Sequence, residues 1–440
     1  MERYPAPQRQ AMTYGALGEA AWSWVLGQVR WDDTGPWIPE SGDGPKPEQF
    51  VTGMHSGVGG LAYTLAEIKL SRPWTASEQE LAAGIADRVR RSIPVESSIT
   101  FFDGLVSSIG ILTALGEPGS AAAIERAWEL ITPAGWHETF LEDETVYAPG
   151  AVTNDLTLGT GAALLGALWA LRHGIPAQPL AERAVELLLA EQEPGPNWLF
   201  VPRRYLRQAS AYQMPNFSHG LAGIAAVLAL AGAELDRPEL VETGRQGAEH
   251  LISLGINDGK GFRVARVIPW EERHGDEFTF NWCHGGAGTS LLFSALQYAG
   301  ADQVAGESPA TWRERCLDAV RNSGLPERLH PGFWDNDGRC CGTAGVADAF
   351  LTAYQRDGAP QDLAFAKQLA DTLVDHAHRD GSTAYWRFIE HKNEEPLLPP
   401  GVGWMQGAAG IAALLFRINR VAEQGRPAAI ATHLDNWWAS

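Results

Sequence analysis

Three of the four cysteines in this sequence stand directly before glycine turns: Cys283 in Cys283-His284-Gly285-Gly286, and the adjacent pair in Cys340-Cys341-Gly342. Thiolate and imidazole are the donors zinc favours in tetrahedral sites, and three protein ligands leave a fourth position for water or a substrate. The spacing is not that of a finger-type CxxC pair, and the competing reading is a set of small buried hydrophobes. Adjacent cysteines rarely bridge each other, because the disulfide would be strained. Cys316 lies in a helical stretch, 312–320, and reads as an ordinary core residue. His219 also precedes a glycine, in Ser218-His219-Gly220, with no cysteine beside it. An imidazole with an unperturbed pKa near about 6.5, beside a metal with an open position, suits acid/base work; capping a helix is the plainer role. His284 reads as a substitute ligand, a second proton carrier or a supporting group. Asp155, four residues before Gly159, is placed either to orient His219 and hold its tautomer or to cap the next helix.

A repeat brings these residues together. Seven turns share a polar residue, Gly, two residues, a second small residue and then an apolar stretch; their first glycines are 57, 104, 159, 220, 285, 342 and 407. The second turn is the weakest, with Ser107 in place of the second glycine. Alanine-rich stretches such as 224–235 and 289–299 follow the turns and carry few polar residues, as helices buried nearly all round do. Between turns, 180–193 and 362–378 show apolar residues at three- and four-residue spacing. Hairpins that cannot bury both faces alone must stack, and closure into a ring lets the inner helices cover one another. The expectation is an all-α (α/α)7 toroid of seven helical hairpins, a single domain over 1–440, with long loops at about 196–217 and 259–280. In such a ring consecutive turns are neighbours on one face, so the cysteines and histidines of turns four to six converge. The loops serve as substrate contacts or as plain surface excursions; the run 261–268 within the second reads as β-like.

Composition narrows the partners. Over 440 residues, 34 Lys and Arg against 53 Asp and Glu leave a formal charge of −19, which repels nucleic acid and anionic lipid. Residues 1–10 carry no apolar core of a signal peptide, and no run of 18 apolar residues crosses a membrane. With few cysteines, this points to the cytoplasm, where thiols bind metal or do chemistry more often than they pair.

The seven turns, the segment Asn216-Phe217-Ser218-His219-Gly220-Leu221-Ala222-Gly223, the segment Trp282-Cys283-His284-Gly285-Gly286-Ala287-Gly288 and a Cys-x-Gly-x-x-Gly sixth turn resemble the lanthionine synthetase C-like (LanC) family over nearly the whole chain. The resemblance implies a toroid with a central Zn2+ on Cys283, Cys340 and Cys341, with His219 as the acid/base group and Asp155 behind it. It implies a lanthipeptide cyclase, in which a substrate cysteine thiol loses its proton at zinc and adds to dehydroalanine or dehydrobutyrine. The product is a (methyl)lanthionine thioether. The implied partners are a dehydrated precursor peptide, leader plus core, and a separate dehydratase, since no dehydratase-like segment is fused. Three positions depart from the family pattern. Cys341 stands where histidine is commonest, a softer and more negative donor. His284 stands where tyrosine is frequent. Thr279, Phe280 and Asn281 occupy a stretch where arginine is often found.

Other readings compete with this one. The protein would add a small thiol such as glutathione to dehydroamino acids, or act as a non-catalytic scaffold of a peptide-modifying complex. A glycoside-processing α/α barrel would need two carboxylates flanking a sugar; Asp103 and Asp155 are available, but the converging cysteines would be left without a role.

Overall fold

The computed structural model describes residues 13–207, 212–327, 336–389 and 397–440; the N-terminal stretch 1–10 and part of the first long loop, 208–211, lie outside the described residues. Among them are fourteen α-helices. Seven follow the glycine turns: α2 (Leu61–Ser71), α4 (Leu105–Leu115), α6 (Thr160–Arg172), α8 (Leu221–Glu234), α10 (Gly286–Tyr298), α12 (Thr343–Asp357) and α14 (Ala408–Gln424). Each packs on the next, and α14 packs on α2, so the inner ring is closed. The other seven lie outside it: α1 (Tyr14–Gln28), α3 (Ala76–Ser92), α5 (Ser120–Glu129), α7 (Gln178–Ala190), α9 (Pro238–Leu254), α11 (Pro309–Arg321) and α13 (Pro360–His376). From α5 onward each outer helix covers the inner helix before it, α3 lies against both α2 and α4, and α1 covers α14, so the two ends of the chain complete the seventh hairpin.

Composition explains the division. In α8 every residue from Leu221 to Gly232 is buried, and small side chains (five alanines and two glycines from 221 to 232) let neighbouring helices approach. In α9 only Leu240, Gly244, Gly247, Ala248 and Leu251 are buried, at three- and four-residue spacing. The first glycine of each turn has an immediate steric reason. A Cβ at Gly220 would lie 1.4 Å from the carbonyl oxygen of Met214, and one at Gly342 2.0 Å from that of Asn336. That approach recurs because the chain doubles back before each inner helix. The N–H groups of Val58, Leu105, Thr160, Ala222, Gly288, Thr343 and Ala408 all donate to the carbonyl seven residues earlier. Those carbonyls satisfy donors that a glycine cap has no side chain to meet.

Among the described residues, four two-stranded antiparallel sheets lie between helices: β1 (Arg30–Asp32) with β2 (Gly35–Trp37), β3 (Ile256–Asp258) with β4 (Gly261–Arg263), β5 (His378–Asp380) with β6 (Thr383–Tyr385), and β7 (Arg387–Ile389) with β8 (Leu397–Pro400). Only the start of the 261–268 run is a strand; farther along, Ile268 pairs with Gln213 as an isolated bridge. No helix among the described residues is long and apolar enough to cross a membrane.

Candidate metal centre and active site

The doubled-back segments hold the chemical side chains at one end of the ring, and hydrogen bonds stitch consecutive segments together. Met54 and His55 N–H donate to the Phe102 carbonyl, Phe101 N–H to Thr157, and Ser218 N–H to Cys283. The Thr157 hydroxyl oxygen lies 3.2 Å from the Ser218 carbonyl, and the Cys283 thiol donates to the Cys340 carbonyl at 3.4 Å. Arg339 and Cys340 N–H donate to Met405, and Met405 N–H donates to His55, which closes the belt. Ser107, the exception to the glycine pattern, accepts the Met54 N–H at 2.9 Å. The mouth therefore places its side chains on a rigid frame.

Within it the sulfurs of Cys283, Cys340 and Cys341 all lie within 4.8 Å of one another. Cys283 Sγ is 2.7 Å from Cys340 Sγ and 3.5 Å from Cys341 Sγ, and Cys340 and Cys341 are 3.5 Å apart. None is in a disulfide. Three thiolates at about 2.3 Å around one tetrahedral zinc ion would sit roughly 3.8 Å apart, so small shifts convert the cluster into a donor set. The chemistry fits: three buried, convergent soft donors with no cation among them. The adjacent Cys283 and Cys340 sulfurs pull the Cys341 pKa well down, against burial, with help from His55 and His219. Burial, together with the neighbouring thiols, holds Cys283 well up.

Asp155 and His219 form the second element. Asp155 is wholly buried; one carboxylate oxygen accepts from Thr157 N–H, Leu158 N–H at 2.6 Å and the Thr157 hydroxyl at 2.8 Å. The other lies 2.5 Å from His219 Nδ1. One side chain thus braces its own turn and grips the imidazole. The helix cap itself is Gly159, not Asp155. Burial pushes the His219 pKa down, but the Asp155 carboxylate outweighs it and leaves the pKa raised. His219 keeps 22% of its side-chain surface open, and Nε2 is left free of Asp155. Phe200, from the first long loop, sets its edge against the His219 ring at 5.9 Å.

His284 lies beside this pair, its ring centroid 5.3 Å from that of His219. Burial holds it well below the usual imidazole pKa, and His219 and Arg266 add to the effect. Behind Cys283, Trp282 packs against Phe217, Phe101 and Phe102 at 5.7, 6.2 and 6.3 Å as an apolar floor.

Two residues at this mouth carried no chemical signal in the sequence. His55, from the first turn, is close enough to Cys341 for each to shift the other, and its Nδ1 meets the Ser56 hydroxyl at 2.7 Å. Its histidine-before-serine-before-glycine position was a signal only in retrospect. Arg266, from the second long loop, brings a half-buried guanidinium near His284, where Thr279–Asn281 has no arginine.

Compared with known proteins, residues 51–427 match the family described as lanthionine synthetase C-like protein. Among solved structures the chain is similar to nisin cyclase, with a TM-score of 0.58 and 13% identity over 84% of this chain and 89% of that one. It is also similar to the unsaturated glucuronyl hydrolase from Bacillus sp. GL1, with a TM-score of 0.45 and 13% identity over 93% of this chain and 96% of that one. No curated protein sequence matches it.

Proposed function

This chain belongs to the lanthionine synthetase C-like family, and we propose that it is a zinc-dependent cyclase that adds a peptide cysteine thiol to dehydroalanine or dehydrobutyrine, forming (methyl)lanthionine rings. The observation that carries the reading is the meeting of three sulfurs within 4.8 Å on the same mouth as the Asp155–His219 pair. Zinc held by Cys283, Cys340 and Cys341 would supply Lewis acidity that lowers the pKa of an incoming thiol. The remaining work falls to the chain. His219, whose Nδ1–H is given to Asp155, presents Nε2 to the substrate, where it takes up the thiol proton or returns a proton to the α-carbon. The addition forms a sulfur–β-carbon bond and consumes the carbon–carbon π bond. One proton leaves sulfur and one arrives at the α-carbon, so no leaving group or redox partner is needed. His284, whose pKa burial holds well down, lies beside the imidazole with its ring centroid 5.3 Å away. The substrate is a dehydrated precursor peptide, leader plus core, supplied by a separate dehydratase.

The test combines metal content with turnover. Wild-type protein should hold one equivalent of zinc and close a ring in a synthetic peptide carrying one cysteine and one dehydroalanine. Cys283→Ala should lose or weaken the metal and fall to the uncatalysed rate while keeping its helical circular dichroism. Offering glutathione in competition reads the other chemistry: a glutathione adduct as the main product would make the protein a small-thiol transferase. Full metal retention without Cys283 would end the zinc reading.

A further inference from the structure

The Trp282 ring that floors the mouth is also one wall of a second cavity, of about 40 Å3, between α10, α11, α12 and the C-terminal segment. On the measure by which one water takes roughly 10–15 Å3, it holds one small ion or two or three waters. Two polar side-chain atoms of its lining residues are buried with no hydrogen-bond partner among the described residues: Arg313 Nε and Trp282 Nε1. Both carry an N–H that donates, and neither can accept. Arg313 is only 5% exposed. Its other nitrogens are committed, Nη1 to Gln297 and Nη2 to Asp357 at 2.7 Å. The occupant this wall asks for is therefore an acceptor.

The charges around the cavity point the same way. Arg313 and Arg356 share one carboxylate, Asp357, at 2.7 and 3.4 Å. Arg417 and Arg339 share another, Asp348, at 2.6 and 2.9 Å. Asp435 is the third carboxylate, and burial raises its pKa although Arg339 opposes the rise. These four guanidinium groups thus meet three carboxylates. Glu314 and Asp362 also act on Arg313, but both are held by Arg321, and Glu67 is held by Arg420. The surplus is felt at the cavity itself: burial pushes the Arg356 pKa down to about 10, and the charge of Arg313 adds to the fall.

We propose that this cavity binds one small monovalent anion of the halide class, held by the Arg313 Nε–H and the Trp282 Nε1–H with Arg356 on the same wall. Water would meet the two N–H groups but leave a guanidinium buried without a counter-charge, the costlier omission. The small volume and the single surplus charge both favour a monovalent ion over a phosphate or sulfate dianion. The site stands apart from the cyclase reading, yet it lies behind the thiols: Trp282 and Arg339 directly precede Cys283 and Cys340. An ion here ties the Cys283 segment to α11, which carries Arg313, and to α12, which carries Arg356. It completes the pairing of the arginines in this part of the ring.

The experiment is a thermal melt of the full chain titrated with sodium chloride or sodium bromide, with sodium gluconate, whose anion is too large for the cavity, holding ionic strength constant. The wild-type melting temperature should rise with either halide and saturate, as binding to the folded state requires. The rise should persist after zinc chelation, which separates this site from a halide on the metal's open position. Bromide anomalous scattering from a crystal should place one ion within about 3.5 Å of Arg313 Nε. Trp282→Phe, which keeps an aromatic ring and loses the N–H, should raise the half-saturating halide concentration about tenfold or more. Arg313→Met should abolish the response. A wild-type melt that does not distinguish halide from gluconate overturns the proposal, as does a response lost on chelation or undiminished in Trp282→Phe. Bromide found only at the surface, an adventitious ion only, or water alone in the cavity at saturating bromide also overturns it.

Discussion

The two ends of the ring treat buried charge in opposite ways. Behind the mouth, Asp348 on α12 is gripped by Arg417 of α14 at 2.6 Å and, at 2.9 Å, by Arg339, which reaches back from the segment that carries Cys340; Gln355 takes a further Arg417 N–H at 2.9 Å. Arg420 pairs with Glu67 across the α14–α2 seam, although burial still leaves the Glu67 pKa raised. Burial alone would raise the pKa of Asp348, but the two guanidinium groups hold it well below the carboxylate range. The C-terminal segment closes that end: Trp437 lies under the Arg172 guanidinium at 4.2 Å, and Trp438 donates to the Leu291 carbonyl at 3.0 Å. At the mouth the opposite holds. Three thiols crowd together, the His284 pKa is held well down by burial, and Asp103 and Glu138 have pKa values pushed up to about 7. Charge at the far end is paired for stability. Charge at the mouth is left poised, the condition in which groups exchange protons and bind ions near neutral pH.

If that division is right, substitutions at the two ends separate stability from activity. The largest effect on rate is expected for His219→Ala: ring closure should slow by about 10²–10⁴-fold, with zinc content and melting temperature close to wild type. Rapid closure by this variant, followed by mass spectrometry, would place the acid/base group elsewhere at the mouth. Arg417→Met is the mirror experiment. It leaves a buried carboxylate with one partner fewer and should cost about 3–5 kcal/mol in denaturant unfolding, while the rate per folded molecule stays near wild type. Equal damage to rate and stability in either variant would dissolve the comparison.

How much of this was legible in the sequence follows from what each feature depends on. The toroid was legible, because every hairpin writes the same turn, and the family match over 51–427 agrees with it. Which cysteines meet was legible too, since equivalent positions of consecutive turns must be neighbours in a ring. What they do there remains the proposal above. Helix limits were blurred at their starts. The stretch read as 224–235 is Leu221–Glu234, since loop carbonyls from seven residues back cap a first turn whose Gly-Leu-Ala-Gly composition looks like loop. The loop contributions were not legible. Arg266 precedes His284 by a stretch of irregular chain, and no periodicity says where such a chain turns its side chains. His55 reaches Cys341 from the first turn to the sixth only because the ring closes.

The gentlest test of the comparison is pH. Asp103 is raised first by burial and then by repulsion from Glu96, although the His55 N–H favours its charge. Glu138 is raised by burial and by Glu96, against the Ile99 N–H, the Ser98 hydroxyl and His137. For a carboxyl whose folded pKa exceeds its unfolded value of about 4, the folded state binds more protons. Its contribution to stability is therefore complete below about pH 4 and is lost as pH rises through about 7. The expected result is a melting temperature that falls between about pH 5 and pH 8. Asp103→Asn and Glu138→Gln, which carry no charge to desolvate, should each flatten that slope, melting higher than wild type at pH 8 and no higher at pH 5. The far end predicts the other sign: Asp348, held low by its arginines, keeps its contribution throughout this range and loses it only in strong acid. A mouth variant that leaves the slope intact would mean that these two carboxyls are as well compensated as Asp348, and the contrast between the ends would then rest on the thiols and imidazoles alone.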